Sequence, residues 1–312
     1  MSMTDENQHI PEADGIDRGF DTTGNLSEKN KILPSTLYVV ATPIGNLADL
    51  SERAVKVLSE VDFIAAEDTR NTGHLLSYLG IRKPLISYFE HNKRERGEVI
   101  ANRLAAGESC ALVTDAGTPA ISDPGEDLVA LCASRGITVT SIPGCCAGIT
   151  ALTLSGLPTG RFCFEGFLSM NKSERRRHLE ELKRERRTMI FHEAPHKLIA
   201  TLADMAEVFG GERRISLCRE LTKRNEEVLR MTLRDANDYY ANHTPRGEYV
   251  LVLEGASADL PSDQPTFWAN LSIPDHVAYH VARGLDRKDA IKATAKDRGV
   301  PKNEVYKEVA ND

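Results

Sequence analysis

Cys110-Ala111-Leu112-Val113-Thr114-Asp115-Ala116-Gly117-Thr118-Pro119-Ala120-Ile121-Ser122-Asp123-Pro124-Gly125 is the stretch that decides the fold. Cys110–Thr114 is a continuous apolar run of strand length, and Asp127–Ser134 returns at helical spacing before Gly136. The loop between them sits at the carboxyl edge of a sheet, where open α/β folds bind ligands. Ordinary connections of this kind run about two to six residues. This one is longer, and two prolines with two glycines make it stiff yet bare of side chains. A ligand can therefore approach its backbone closely.

The same logic repeats on both sides. Leu37–Thr42 is an apolar strand broken by Pro43-Ile44-Gly45-Asn46, and Asp49-Leu50-Ser51-Glu52 then has capping-box form. Val61–Ala66 reads as a strand, Thr69–Leu79 as a helix, Leu85–Tyr88 as a strand, Val99–Ala106 as a helix and Ile137–Ile142 as a strand. This alternation argues for a parallel sheet with right-handed crossovers. Beyond Pro143-Gly144 we expect a helix over Ala147–Leu154 and strands over Phe162–Phe167, Thr188–Phe191, Ile215–Cys218 and Tyr249–Leu253. Helices are expected over Ser173–Arg186 and Leu198–Phe209. The alternating run Glu227–Leu233 suggests a hairpin-type strand, hence a mixed second sheet. The expected organisation is an acidic disordered tail over 1–34, an N-terminal α/β domain over 35–142 and a second over 143–256. A linker over 257–265 and a helical, helix-turn-helix-like module over 266–312 complete it.

The 312 residues are 41% hydrophobic and 27% charged, which is globular composition, with net charge −7. A uniformly basic nucleic-acid binder is excluded, but uneven charge is not. Residues 1–34 alone carry seven acids and three bases. No apolar run approaches the roughly 20 residues of a membrane span. The six cysteines lack CxxC spacing and mostly sit in apolar stretches. They read as reduced core thiols of a cytoplasmic protein.

His192-Glu193-Ala194-Pro195-His196 spells the HExxH zinc string, whose chemistry needs both histidines on one unbroken helix. A strand runs straight into it, and Pro195 lacks the N–H of a helix interior. We expect a ligand-edge loop with Pro195 opening the next helix, and no metal. There is no GxGxxG fingerprint and no GxxxxGK[ST] phosphate loop, which disfavours nicotinamide and ATP chemistry. Ala65-Ala66-Glu67-Asp68-Thr69-Arg70 puts two carboxylates and a guanidinium after a strand, where Asp68 serves equally well as a helix cap. Two stretches are basic. Lys172–Arg187 has eight bases and four acids, and Arg283–Glu308 has eight and five. Either is also explicable as a solvated helix face.

The loops in this order resemble the S-adenosylmethionine-dependent tetrapyrrole methylase superfamily. The carrying strings are TPIGNLADL (Thr42–Leu50), AAEDTR (Ala65–Arg70), DAGTPAISDPG (Asp115–Gly125) and PGCCAGITAL (Pro143–Leu152). SGLPTGRFCFEGFL (Ser155–Leu168), HEAPHK (His192–Lys197) and RELTK (Arg219–Lys223) follow. Small-molecule members typically carry GxGxGD-like first and GDPxxYG-like third loops. TPIGN and DAGTPAISDPG depart from these in the manner of the branch that 2′-O-methylates the ribose of a cytidine in small-subunit 16S ribosomal RNA.

The resemblance implies two α/β domains of tetrapyrrole methylase type plus a small helical module. It also implies S-adenosyl-L-methionine in the interdomain cleft and a homodimer. Loop matching places Pro43, Ala116, Gly117, Thr118, Ile121, Cys146, Ala147, Glu193 and Leu221 against the cofactor. A ribose hydroxyl is a poor nucleophile, so a nearby base would help. The candidates are Glu67, Asp68, Asp115, Glu220 and Lys223, which the sequence does not rank. Arg70 and Arg219 are candidates for phosphates, with Arg175, Arg176, Arg287, Lys288, Lys292 and Lys296 from the basic stretches. A small-molecule tetrapyrrole methyltransferase is the alternative enzyme. A non-enzymatic RNA-binding module would have no use for DAGTPAISDPG.

Overall fold

The computed structural model describes residues 30–257, 268 and 271–310. Most of the expected acidic tail and of the 257–265 linker lies outside these residues. The chain divides after Gly255 into two compact units.

The first unit holds two five-stranded sheets. In the first sheet β1 (Thr36–Val40), β2 (Phe63–Ala66), β3 (Leu85–Ser87), β4 (Cys110–Val113) and β5 (Thr138–Ile142) lie in the order β3-β2-β4-β1-β5, all parallel. The central strands are apolar throughout because both faces are covered. On one face α1 (Glu52–Glu60) and α2 (Thr69–Tyr78) pack Val57, Leu58 and Leu76 on Tyr38, Val40 and Ile64. On the other, α3 (Lys93–Ala105) and α4 (Gly125–Ser134) pack Ile100, Leu104 and Leu128 on Leu37, Phe63 and Leu112. The neighbours β1 and β4 thus send their connections to opposite faces, which opens a crevice at their carboxyl ends.

The second sheet runs β6-β7-β10-β8-β9, from β6 (Phe162–Phe167), β7 (Thr188–Glu193), β8 (Arg214–Arg219), β9 (Glu227–Thr232) and β10 (Tyr249–Leu253). Only β6 and β7 pair in parallel, so the sheet is mixed. Helices α6 (Lys172–Glu181), α7 (Pro195–Phe209) and α8 (Leu233–Asn242) cover one face through Leu179, Leu198, Leu202 and Ala236. The other face receives α5 (Ala147–Leu154) and, from the loop after β1, Ile44.

Several boundaries differ from the sequence reading for local reasons. The cap of α1 is Ser51, whose hydroxyl accepts from the Ala54 N–H; Asp49 belongs to a preceding 3-10 turn. Helix α3 begins at Lys93, ahead of the expected Val99, because its first turn is charged and carries no apolar signal. Helix α8 has no counterpart in the sequence reading, although Thr232 and Asp235 form a reciprocal capping box.

In the second unit, α9 (Ile273–Ala282), α10 (Arg287–Arg298) and α11 (Lys302–Ala310) pack around Val277, Ala290, Ile291, Ala295 and Val305. Gly299, at φ +65°, ends α10 in the left-handed conformation that glycine adopts at least cost. No helix among the described residues is long and apolar enough to cross a membrane.

Candidate functional site

The loops after β1 and β4 are stitched together at the crevice. Thr42 N–H donates to Gly117 O at 2.9 Å, Gly117 N–H donates back at 3.0 Å, and the Thr42 hydroxyl reaches Thr114 O. Gly117 sits at φ +89°, and a Cβ there would meet Ile44 Cγ2 at 3.4 Å. Ala120 and Ser122 are also left-handed, at φ +66° and +64°. The Asp123 carboxylate holds that bend by accepting from Ala120 N–H at 3.0 Å and Gly125 N–H at 2.7 Å. Thr118 donates its hydroxyl to Cys145 O at 2.8 Å, fixing the loop to the entry of α5.

The second sheet brings its own edge to the same place. Glu220 and Thr222 are left-handed, at φ +51° and +65°. Lys223 ties the loop by ion pairs to Glu220 at 2.9 Å and Glu248 at 2.8 Å. This loop lies so close to Gly45 that a Cβ there would overlap Lys223 Cγ. Strained backbone at two facing loops is what functional sites commonly contain.

Two adjoining cavities result. One, of about 340 Å³, is walled by Gly117, Thr118, Ile121, Cys146, Ile149, Phe162 and Phe164. The other, of about 510 Å³, is walled by Phe167, Glu193, His196, Glu220, Leu221, Lys223, Glu248 and Tyr249. Ile44, Ala116, Ala147 and His192 line both. Of the residues matched to the cofactor, Ala116, Gly117, Thr118, Ile121, Cys146, Ala147, Glu193 and Leu221 line these cavities; Pro43 lines neither.

Glu193 is held by local contacts at the edge of the larger cavity. Its carboxylate is buried in an ion pair with Lys197 at 3.0 Å and accepts from the Thr201 hydroxyl at 2.6 Å and Ala194 N–H at 2.8 Å. Those bonds anchor the first turns of α7, while Glu193 still lines the larger cavity. Sequence reasoning also passes over His192. Its ring lies edge-on to Phe164 and Phe167, and its Nε2 is buried with no hydrogen-bond partner among the described residues. Burial lowers its pKa, which keeps the imidazole neutral. His192 ends a strand while His196 follows Pro195 in the first turn of α7, so the HExxH string does not occupy one helix. The other residues missed, Ile44, Phe162, Phe164 and Glu248, carry no signal beyond strand or loop character.

The candidate bases separate by environment. Asp68 caps α2 by accepting from Arg70 N–H, and the two hydrogen bonds it accepts from the Arg70 guanidinium hold its pKa down to about 2. Glu220 is lowered by the Glu248 N–H and by Lys223. Burial opposes the Lys223 charge, but Glu248 and Glu220 more than offset it and its pKa rises. Asp115 goes the other way, because burial and the neighbouring Glu67 raise its pKa. Glu67 itself accepts from the Thr114 hydroxyl at 2.5 Å.

Among the candidate phosphate ligands, Arg70 is 86% exposed beyond its contact with Asp68. Arg219 faces Glu227 at 3.3 Å. Arg175 is corrected: it is buried, paired with an equally buried Asp204 at 2.6 Å, and donates to Ser169 O. A guanidinium so placed joins α6 to α7 and does not reach solvent phosphates. Arg176 pairs with Glu207, which further dilutes the charge of this stretch. In the second unit Lys292 pairs with Asp289, while Lys296 is on the same helix, α10. His276 and His280 there converge on Asp297 at 3.3 and 2.9 Å. Arg298 Nε donates to His276 Nδ1, which favours the tautomer with the proton on Nε2.

Comparison with known proteins agrees with this geometry. The sequence pattern of the tetrapyrrole (corrin/porphyrin) methylases matches residues 36–237. Ribosomal RNA small subunit methyltransferase I of Halalkalibacterium halodurans is 49% identical over 271 residues, 87% of this chain and 93% of that protein. The protein of the same name from Synechocystis is 47% identical over 270 residues, covering 86% of this chain and 95% of its own. The fold matches uroporphyrin-III C-methyltransferase of Thermus thermophilus, a structure complexed with S-adenosylhomocysteine. The TM-score is 0.50 at 16% identity, over 70% of this chain and 97% of that one. The chain belongs to the tetrapyrrole methylase family, in the branch formed by the ribosomal RNA small subunit methyltransferases I.

Proposed function

We propose that the protein transfers a methyl group from S-adenosyl-L-methionine to the 2′-hydroxyl of a cytidine in the 16S ribosomal RNA of the small subunit. The observation that carries this reading is the match to relatives of that name at 49% and 47% identity across more than nine-tenths of their lengths.

The cavity residues suit the cofactor. Gly117 presents bare backbone where a side chain would intrude, and Ile121, Cys146, Ala147 and Phe164 offer apolar surface to an adenine. When bound, the cofactor supplies a sulfonium methyl for in-line displacement. The chain's part is to hold the acceptor oxygen in near-attack geometry and to take its proton. Asp115 is the base this reading favours: it adjoins Ala116, which lines both cavities, and its pKa is raised where those of Asp68 and Glu220 are lowered. Lys223 lines the larger cavity, but Glu220 and Glu248 occupy its ammonium, so its part in this reading is to hold the loop after β8 in place.

The proposed assembly is a homodimer in the cytoplasm. Supporting it, the end of the edge strand β6 and the turn after it expose Phe167 and Met170, to 58% and 74%. An apolar edge of this kind calls for a covering partner. All six cysteines are free, as a reducing compartment requires. The proposed division of labour gives residues 35–142 and 143–256 to the cofactor cleft and 266–312 to RNA.

Incubation with tritiated S-adenosylmethionine and 30S subunits, followed by nucleoside analysis, tests the reading. Label in 2′-O-methylcytidine is expected. Label in a precorrin substrate with none in the subunit would overturn it in favour of a small-molecule enzyme.

A further inference from the structure

We propose that the second unit carries a slot for one unpaired nucleobase, stacked on Tyr306, with its flanking phosphates on Arg287 and Lys288. The inference rests on the reading of RNA as substrate and adds a contact which that reading does not contain.

Helices α10 and α11 leave a groove of about 280 Å³ between them, lined by Arg287, Lys288, Ile291, Tyr306, Val309 and Ala310. Its floor is aliphatic. Tyr306 is 44% exposed, with Lys292 as an electrostatic neighbour of its hydroxyl. An aromatic ring left bare beside an aliphatic floor is a surface that a planar apolar face would cover.

Ion pairing separates the cations of this unit. Lys292 is neutralised by Asp289 at 2.6 Å, and Arg298 is held by His276 and the carbonyl of Leu271. Arg287 and Lys288, at the rim of the groove, form no close ion pair among the described residues, although Asp289 lies near Lys288; Arg287 reaches Val309 O at 3.5 Å. The groove therefore combines a partly exposed aromatic ring, an apolar floor and two cations outside any ion pair among the described residues.

That combination matches single-stranded RNA. Bases stack on aromatic rings regardless of sequence, and Arg and Lys take the phosphates on either side. A duplex has no unstacked base to offer. An acidic peptide would use the cations and leave the ring idle.

Fluorescence anisotropy of the full chain with a short labelled single-stranded RNA tests the slot at fixed salt. Tyr306→Ala should weaken binding about 5- to 100-fold, while Tyr306→Trp retains it. An abasic strand of equal length should bind wild type and Tyr306→Ala alike. Arg287→Ala with Lys288→Ala should lower the slope of log affinity against log salt by roughly 0.7 for each phosphate left without its cation. Circular dichroism checks that each variant folds. Unchanged RNA affinity in Tyr306→Ala overturns the slot, as does an equal loss of affinity for RNA and for the abasic strand. Methylation of 30S subunits by wild type is scored in parallel. Its absence would sink the RNA reading itself, whereas its presence beside an inert Tyr306 would sink only the slot.

Discussion

Thr42 and Gly117 exchange both of their backbone hydrogen bonds, at 2.9 and 3.0 Å, across the carboxyl ends of two neighbouring parallel strands. This single antiparallel bridge fixes the loop after β1 to the loop after β4. It also holds Gly117 at φ +89°, in the wall of the smaller cavity. The stitch is what turns two connections into one binding surface.

Gly117→Leu should abolish binding of S-adenosylmethionine in calorimetry while the far-ultraviolet dichroism stays native. A branched side chain beyond Cβ would enter the cavity, and the positive φ adds a cost of about 1–3 kcal/mol. Gly117→Ala carries the same backbone strain with less intrusion and should lose less affinity. Wild-type affinity in the leucine variant would remove the cofactor from this cavity.

Asp115→Asn should lower kcat by about 10²- to 10⁴-fold with little change in cofactor affinity, since it removes a base and leaves the loop backbone in place. Asp68→Asn should leave kcat near wild type, because Asp68 serves Arg70 and the start of α2. Single-turnover methylation of 30S subunits compares the two. A larger effect at Asp68 would reverse the ranking.

Arg175→Ala should destabilise the protein by about 3–5 kcal/mol in urea unfolding, because it leaves the buried Asp204 charge unpaired. Arg175→Met combined with Asp204→Leu should recover most of that loss. Neither variant should change the salt dependence of RNA binding. A flattened salt slope would return Arg175 to the RNA surface.

His192 should make stability fall as pH drops below 6.5. Its pKa is lowered by burial in the folded state, so the unfolded chain takes up the proton first. The His192 contribution is complete above the unfolded value near 6.5 and is lost as pH falls toward the folded pKa. His192→Phe should flatten the pH dependence of unfolding free energy in that window. An unchanged profile would mean that the ring accepts a proton in place.

Much of this molecule is written locally. The strands Leu37–Thr42, Cys110–Thr114 and Tyr249–Leu253 are legible because a strand buried on both faces must be apolar at every position. The site loops are legible because proline and glycine mark where a chain bends and where it can be approached. The opening of α7 follows from Pro195 alone, which cannot sit inside a helix but fits its first turn.

What each charged side chain does is decided by whatever lies across from it. Arg175 and Arg176 are adjacent letters in one basic run, yet Asp204 on α7 buries the first while the second remains at the surface with Glu207. Glu193 reads as a ligand-edge carboxylate, and only the structure shows Lys197 and Thr201, one and two turns further along, holding its oxygens. Asp68 and Asp115 look equivalent in sequence, and only the Arg70 guanidinium beside one and the partial desolvation and Glu67 charge around the other drive their pKa values apart. Backbone preference and hydrophobic pattern act over a few neighbouring residues, so the sequence determined the strands, the bends and the ligand edge. Ion pairing and desolvation depend on residues far apart in the chain, so only the tertiary structure decided which groups on that edge remain free to act.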